Sequence, residues 1–242
     1  MKKLILYLFV LCFSFVFSAQ GKGHTSQVPN RQISNEKSFY SKHGDSKIEL
    51  INSNIQNTTL EVTIDEYELL EVMDMNDFYK INFAKGTPIL KKGAPNLPKI
   101  NTSIIIPDNS SMTVVVVDYE YFEINDINII PSKGNFSREI DPLSVPYIFG
   151  EEYNQNEFYP SNLVELGEPY ILRDLRGQGL IVHPFQYNAQ TKTLRVYTNM
   201  ILEIKTDNSL KKNVKNTFTR SKNTINQSSE YKSIYENLFI NY

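Results

Sequence analysis

Hydrophobic and polar residues alternate along the chain from Lys47 onward. Ile48, Leu50 and Ile55, then Leu60, Val62 and Ile64, are separated by polar neighbours, the two-residue period of half-buried strands. Residues 67–75 and 78–83 continue it with strand-forming side chains. Gly86-Thr87-Pro88 and Gly93-Ala94-Pro95-Asn96-Leu97-Pro98 interrupt the run. Proline removes a backbone donor and glycine allows positive φ, so both stretches predict loops. A short strand over 103–106 is stopped by Pro107, and residues 108–111 form a turn. The β-branched run Val114-Val115-Val116-Val117 predicts a strand buried on both faces. Residues 119–124 continue that strand or form a second one. Ile127, Ile129 and Ile130 then lead into a turn at Pro131-Ser132-Lys133-Gly134. Residues 135–159 hold Pro142, Pro146 and many aromatics without a period, the signature of a functional loop. Strands resume over 170–175, 180–187 and 194–205, with a hairpin-like turn at 188–191. About ten antiparallel strands at turn-separated intervals predict an all-β domain over 47–206, a sandwich or half-barrel.

The flanks read differently. Lys2 and Lys3 precede an apolar run from Leu4 to Phe17, followed by the small pair Ser18-Ala19 and polar residues. That order predicts a signal peptide over 1–19, with cleavage at Ala19 and a secreted product in the periplasm or at the cell surface. The alternative, a membrane anchor, needs roughly 20 apolar residues. Residues 20–46 are polar and aperiodic, a disordered lead-in. Residues 207–230 form a basic linker with Lys211, Lys212, Lys215, Arg220 and Lys222. It is either an inert spacer or a processing segment cut at Arg220, since exposed basic loops attract proteases. In residues 231–242, Ile234, Tyr235, Leu238 and Phe239 recur at three-to-four spacing, which predicts a short amphipathic helix.

Composition narrows the chemistry. The single cysteine, Cys12, lies in the leader, so the mature part holds no disulfide, no cysteine-zinc site and no thiol nucleophile. A net charge of −2 gives no electrostatic case for nucleic acid. Of three histidines, only His183 falls in the folded region. It is either a lone general base or a strand histidine packed in the sheet; no nucleophile and orienting acid accompany it. Glu151, Glu152 and Glu157 are either a calcium or acid-pair site or a solvated acidic loop, and their spacing lacks a calcium-loop motif. Arg173, Asp174 and Arg176 read as a charged cluster at a strand end. Gly177-Gln178-Gly179 is too short for a phosphate loop. No catalytic residue, metal or cofactor is expected. These residues alone support a secreted β domain that binds something, including an adhesion or carbohydrate-binding module; 15 tyrosines without a tryptophan weaken sugar stacking.

Ordered motifs carry the reading further. Ser132-Lys133-Gly134 with Ser137-Arg138, Pro146-Tyr147 with Gly150, and Phe158-Tyr159-Pro160 resemble the propeptide of Arg-specific gingipains, the C25 cysteine peptidases. So do Lys92-Gly93-Ala94-Pro95-Asn96-Leu97-Pro98, Ile171-Leu172-Arg173-Asp174-Leu175-Arg176-Gly177-Gln178, Pro184 to Asn188 and Thr191 to Thr198. Ile234-Tyr235 and Phe239 to Tyr242 look like the family's segment just before the protease begins. The resemblance spans roughly 60–242. It implies a non-catalytic prodomain, inhibitor and folding aid of a gingipain-like cysteine protease catalytic domain. In the family that catalytic domain, with its His/Cys dyad, follows in the same chain. Here the mature part has no cysteine, so the expectation is either a fragment of a longer protease or a prodomain acting in trans. The resemblance also implies a residue: the family's plugging arginine sits in Ser-Lys-Gly-x-x-Ser-Arg, which places Arg138 in the protease's S1 pocket. Ser132, Lys133, Gly134 and Ser137 would support it. Without the family, Arg138 reads as a surface arginine in a mobile loop.

Overall fold

The structure is a computed structural model and describes residues 22–25, 38–41, 46–54, 56–207 and 229–242. In chain order the strands are β1 (Lys22–Thr25), β2 (Ser38–Ser41), β3 (Lys47–Ser53), β4 (Asn57–Thr63), β5 (Glu66–Glu71), β6 (Phe78–Asn82) and β7 (Thr87–Pro88). They continue as β8 (Pro98–Ile105), β9 (Ser111–Ile124), β10 (Asn128–Ile129), β11 (Val164–Leu172), β12 (Leu175–Val182), β13 (Phe185–Asn188) and β14 (Thr193–Asp207). A helix, α1 (Ser229–Leu238), follows, and two short 3-10 turns, Pro142–Ser144 and Glu151–Asn154, sit in the long loop.

Three sheets share one core. The largest runs β1-β9-β14-β4-β3 with β13 beside β14; the others run β10-β6-β5-β2 and β11-β12-β8-β7. Alternation in β4 sends Leu60 and Val62 inward, against Met200, Leu202 and Ile204 of β14. Tyr67, Leu69 and Ile81 come from the second sheet, and Ile100, Ile104, Leu180 and Val182 from the third. Phe185 lies in the same core, with edge-on contacts to Tyr67 at 5.3 Å and Phe83 at 5.6 Å.

The expected β class stands, as does the short C-terminal helix, while details shift. The strands beyond the expected ten are short ones such as β1, β2, β7 and β10, too brief or proline-broken for a period to register. β1 pairs in parallel with β9, and β2 antiparallel with β5. Eight residues of the expected disordered lead-in are therefore strands, because open sheet edges supply backbone partners that composition does not reveal. Val115 and Val117 remain about 40% exposed, and Val114 and Val116 are half-buried against the core, so only one face of the valine run is covered. It belongs to an antiparallel sheet whose other face meets solvent. The leader with Ala19 and residues 208–228 with Arg220 lie outside the described residues.

Candidate functional site

The long excursion between β10 and β11 is tied down at its stem by the Gly-Pro element that precedes β8. Ser132 N donates to Ala94 O at 2.7 Å, Gly93 N to Ser132 O at 2.9 Å, and Asn96 N to Ile130 O at 2.8 Å. The far end closes on the same element: Gly150 N donates to Gly93 O at 2.9 Å. Tyr153 then donates its hydroxyl to Ile129 O at 2.7 Å. Two motifs some forty residues apart, 92–98 and 132–138, thus form one clamp. Gly134 turns the chain out of it with φ of 83°, and a Cβ there would come within 2.9 Å of Lys92 Cβ. Only glycine meets both demands without strain.

Each supporting residue has a defined partner. Ser132 is buried, and its Oγ accepts from Gly134 N at 3.2 Å. Lys133 donates Nζ to Pro142 O at 2.7 Å and lies 4.2 Å over the Tyr147 ring. That cross-brace ties the outgoing arm to the returning one. Ile140 N donates to Ser137 O at 3.1 Å, and Ser137 Oγ accepts from Glu139 N at 3.4 Å. Asp141 caps the next turn by accepting from Leu143 N at 2.9 Å.

Arg138 therefore occupies the first central position of a hydrogen-bonded turn, Ser137 to Ile140. Its side chain is exposed and makes no hydrogen bond or ion pair with any described residue. The same loop leaves apolar groups in solvent: Ile140 and Leu143 (80% exposed) on the outgoing arm, Ile148 and Phe149 on the returning one. Phe149 is braced edge-on by Tyr153 at 4.7 Å and Phe78 at 5.6 Å. Exposed apolar side chains beside a free cation make a surface suited to a protein partner. Sequence reasoning did not single out these side chains. Their signal was the density of large apolar residues in an aperiodic stretch.

The remaining candidates separate. Glu152 is buried and ion-paired with Lys91, so the solvated acidic loop holds for exposed Glu151 and Glu157 only. Burial pushes the Glu152 carboxyl up, but the hydrogen bond and charge of Lys91 outweigh it and hold it below its ordinary value. The missed partner lies sixty residues away, where no local pattern links the two. His183 follows β12 and is buried; its backbone N donates to Leu163 O at 2.8 Å. Arg176 is fully buried and donates Nη1 to Pro107 O and Ser110 O, both at 2.5 Å. Gly177 lies within β12, where a Cβ would meet Phe239 at 2.5 Å. Among the described residues no cluster of three metal-ligating side chains occurs.

Comparison with known proteins follows the same outline. The Propeptide_C25 family profile matches residues 38–235. Gingipain R1 of Porphyromonas gingivalis is 33% identical over 197 residues, 81% of this chain and 19% of that protein. Gingipain R2 of the same species is 37% identical over 160 residues, 66% of this chain and 21% of that protein. The chain thus spans about a fifth of the length of these curated relatives. A solved structure titled as the complex of Porphyromonas gingivalis RgpB pro- and mature domains superposes with a TM-score of 0.72 and 30% identity. The match covers 82% of this chain and 98% of that one. A second, on the zymogenic latency of gingipain K, shares the fold with a TM-score of 0.60 at 18% identity, over 72% of this chain and 100% of the other.

Proposed function

The chain belongs to the Propeptide_C25 family, and from that premise we propose that it silences a gingipain-type cysteine protease domain by offering Arg138 to the pocket that reads a substrate's arginine. The observation that carries this reading is the placement of Arg138. It stands without an intramolecular partner among the described residues, on a turn whose stem is clamped at both ends to residues 93–96. An exposed guanidinium surrenders no internal bond when it enters a partner. The clamp limits the loop entropy lost on docking. A carboxylate in the pocket would receive the planar fork in two parallel hydrogen bonds. The exposed Ile140, Leu143, Ile148 and Phe149 of the same loop offer apolar surface for a partner beside that contact.

The turn also favours inhibition over cleavage. A peptide bound by strand addition lies extended, whereas the bond from Ile140 N to Ser137 O holds Arg138 in a compact turn. The partner is a mature gingipain-type domain, met in cis or in trans. The leader read at residues 1–19 places the encounter outside the cytoplasm, in the periplasm or at the cell surface. Arg220 is the site at which an Arg-specific partner would process the linker.

The test is inhibition of a purified Arg-specific gingipain-type protease by this chain and by Arg138→Ala. Loss of the anchor weakens inhibition by about 30-fold or more, the equivalent of about 2 kcal/mol. Equal inhibition by both forms removes Arg138 from the account.

A further inference from the structure

A recess lies beside the loop stem, and its lining does not include Arg138. It is a cleft of about 480 Å³ between the turn Glu151–Asn154, residues 158–161 and the faces of β8, β11 and β12. That volume is in the range of small-ligand sites, roughly 300–1,000 Å³. Ile89, Ile181 and Tyr159 give it apolar walls.

Its polar groups are unbalanced. Glu151, Glu152, Glu157 and Glu165 face Lys91 and Lys99. Lys91 is committed to buried Glu152. Glu151, Glu157 and Glu165 have no lysine or arginine partner among the described residues. His183, only 5% exposed, sits at the back of the cleft with an enclosed Nδ1 that has no hydrogen-bond partner. Its Nε2 points at Glu165 Oε1 across 3.8 Å, beyond hydrogen-bond reach. Burial pulls the imidazole's pKa down against the attraction of Glu165, with Lys99 adding to the downward pull, so the ring is neutral at pH 7. An enclosed ring nitrogen without a partner is rare, because an unpaired buried polar atom costs about 1–3 kcal/mol.

An anion entering the cleft would meet three unpaired carboxylates. A metal ion would need three converging ligands, which the described residues do not provide. A head group with several N–H donors on an apolar stem fits both the spread of the carboxylates and the walls.

We propose that this cleft binds an alkylguanidinium or alkylammonium group, the chemistry shared by arginine and lysine side chains and by small diamines. The head bridges Glu165 and Glu157 and reaches the His183 ring. The stem lies along Ile89, Ile181 and the face of Tyr159. This site does not depend on the role proposed for Arg138.

The experiment titrates the full chain with agmatine, with acetyl-Gly-Arg-Gly-amide and with acetyl-citrulline-amide, which replaces the cation by a neutral urea. Calorimetry reads affinity, and the His183 ring ¹⁵N resonances locate the ligand. The expected result is saturable binding of a cationic probe that shifts the Nε2 signal. The citrulline probe shows no binding, and Glu165→Gln weakens the cation about tenfold or more. Tighter binding of the peptide than of agmatine identifies a partner's side chain as the natural ligand; the reverse identifies a free small cation. Glu165 is partly exposed, so the substitution is compatible with folding, and Glu157→Gln, at an exposed residue, repeats the measurement. Absence of saturable binding by either cation, equal binding of the citrulline probe, or unchanged affinity in both variants overturns the proposal.

Discussion

Two arginines lie within forty residues of each other in the sequence and meet opposite fates. Arg176, on β12, is fully buried and bonded to the carbonyls of Pro107 and Ser110. Burial pulls its pKa down, with partial compensation from Asp108, yet a guanidinium stays charged. Its neighbourhood is closed on every side. Asn241 imitates a strand by accepting from Ile105 N at 2.7 Å and donating to Ile105 O at 3.0 Å. Ile240 N donates to Ser103 O at 3.0 Å, and Phe239 and Tyr235 pack inward. The tail thereby covers the edge of β8 that β7 leaves open. Arg138 has none of this: its loop is braced at the stem and bare at the tip. The difference teaches that a charged residue in a family motif can hold the scaffold together or be kept free for a partner. Hydrogen-bond bookkeeping of the backbone around it tells which.

The comparison breaks first at Arg176. Replacing it by methionine removes a charged donor from the half-buried carbonyls of Pro107 and Ser110, at about 3 kcal/mol or more. Thermal unfolding should then fall by about 6–12 °C for a domain of this size. An unchanged midpoint would show the two arginines to be alike. Arg138→Ala should leave the midpoint within about 0.5 kcal/mol of the parent while losing about 2 kcal/mol of binding to the protease. A drop in the midpoint would mean the tip is part of the scaffold after all. Asn241→Ala should cost about 1 kcal/mol. Hydrogen exchange should accelerate in residues 229–242 and at Ile105, and remain unchanged in the loop 133–149.

The smallest effect concerns the stem. Glu152 has its carboxyl held below its ordinary 4.5, so the ion pair with Lys91 contributes fully above that value. The contribution is lost as pH falls through the lower folded value. Lys91→Met leaves burial as the dominant influence and raises the carboxyl instead. The variant should be weakest near neutral pH and regain stability on acidification through the raised value. Unfolding midpoints measured between pH 7 and acid, with the sign reversed between the two proteins, check this.

Much of the architecture was legible in local pattern. Leu60, Val62 and Ile64 announced a half-buried strand and are all buried. Residues 135–159 lacked a period and contain no strand. Gly134 marked the turn that it makes. The valine run was misread because strand periodicity does not state which face of a sheet is covered. Glu152 was misread because its partner, Lys91, is distant in sequence and adjacent only once the 93–96 element receives the end of the loop.

The chain's own text determined its β class, the short C-terminal helix and the aperiodic stretch over 135–159. Those properties follow from periodicity, composition and short motifs, which are local. Tertiary structure alone decided which cation is buried, which carboxylate is paired, and that His183 lies 3.8 Å from Glu165. Each depends on strands and loops joined by backbone hydrogen bonds across many tens of residues, and such partners leave no mark in the order of neighbouring side chains.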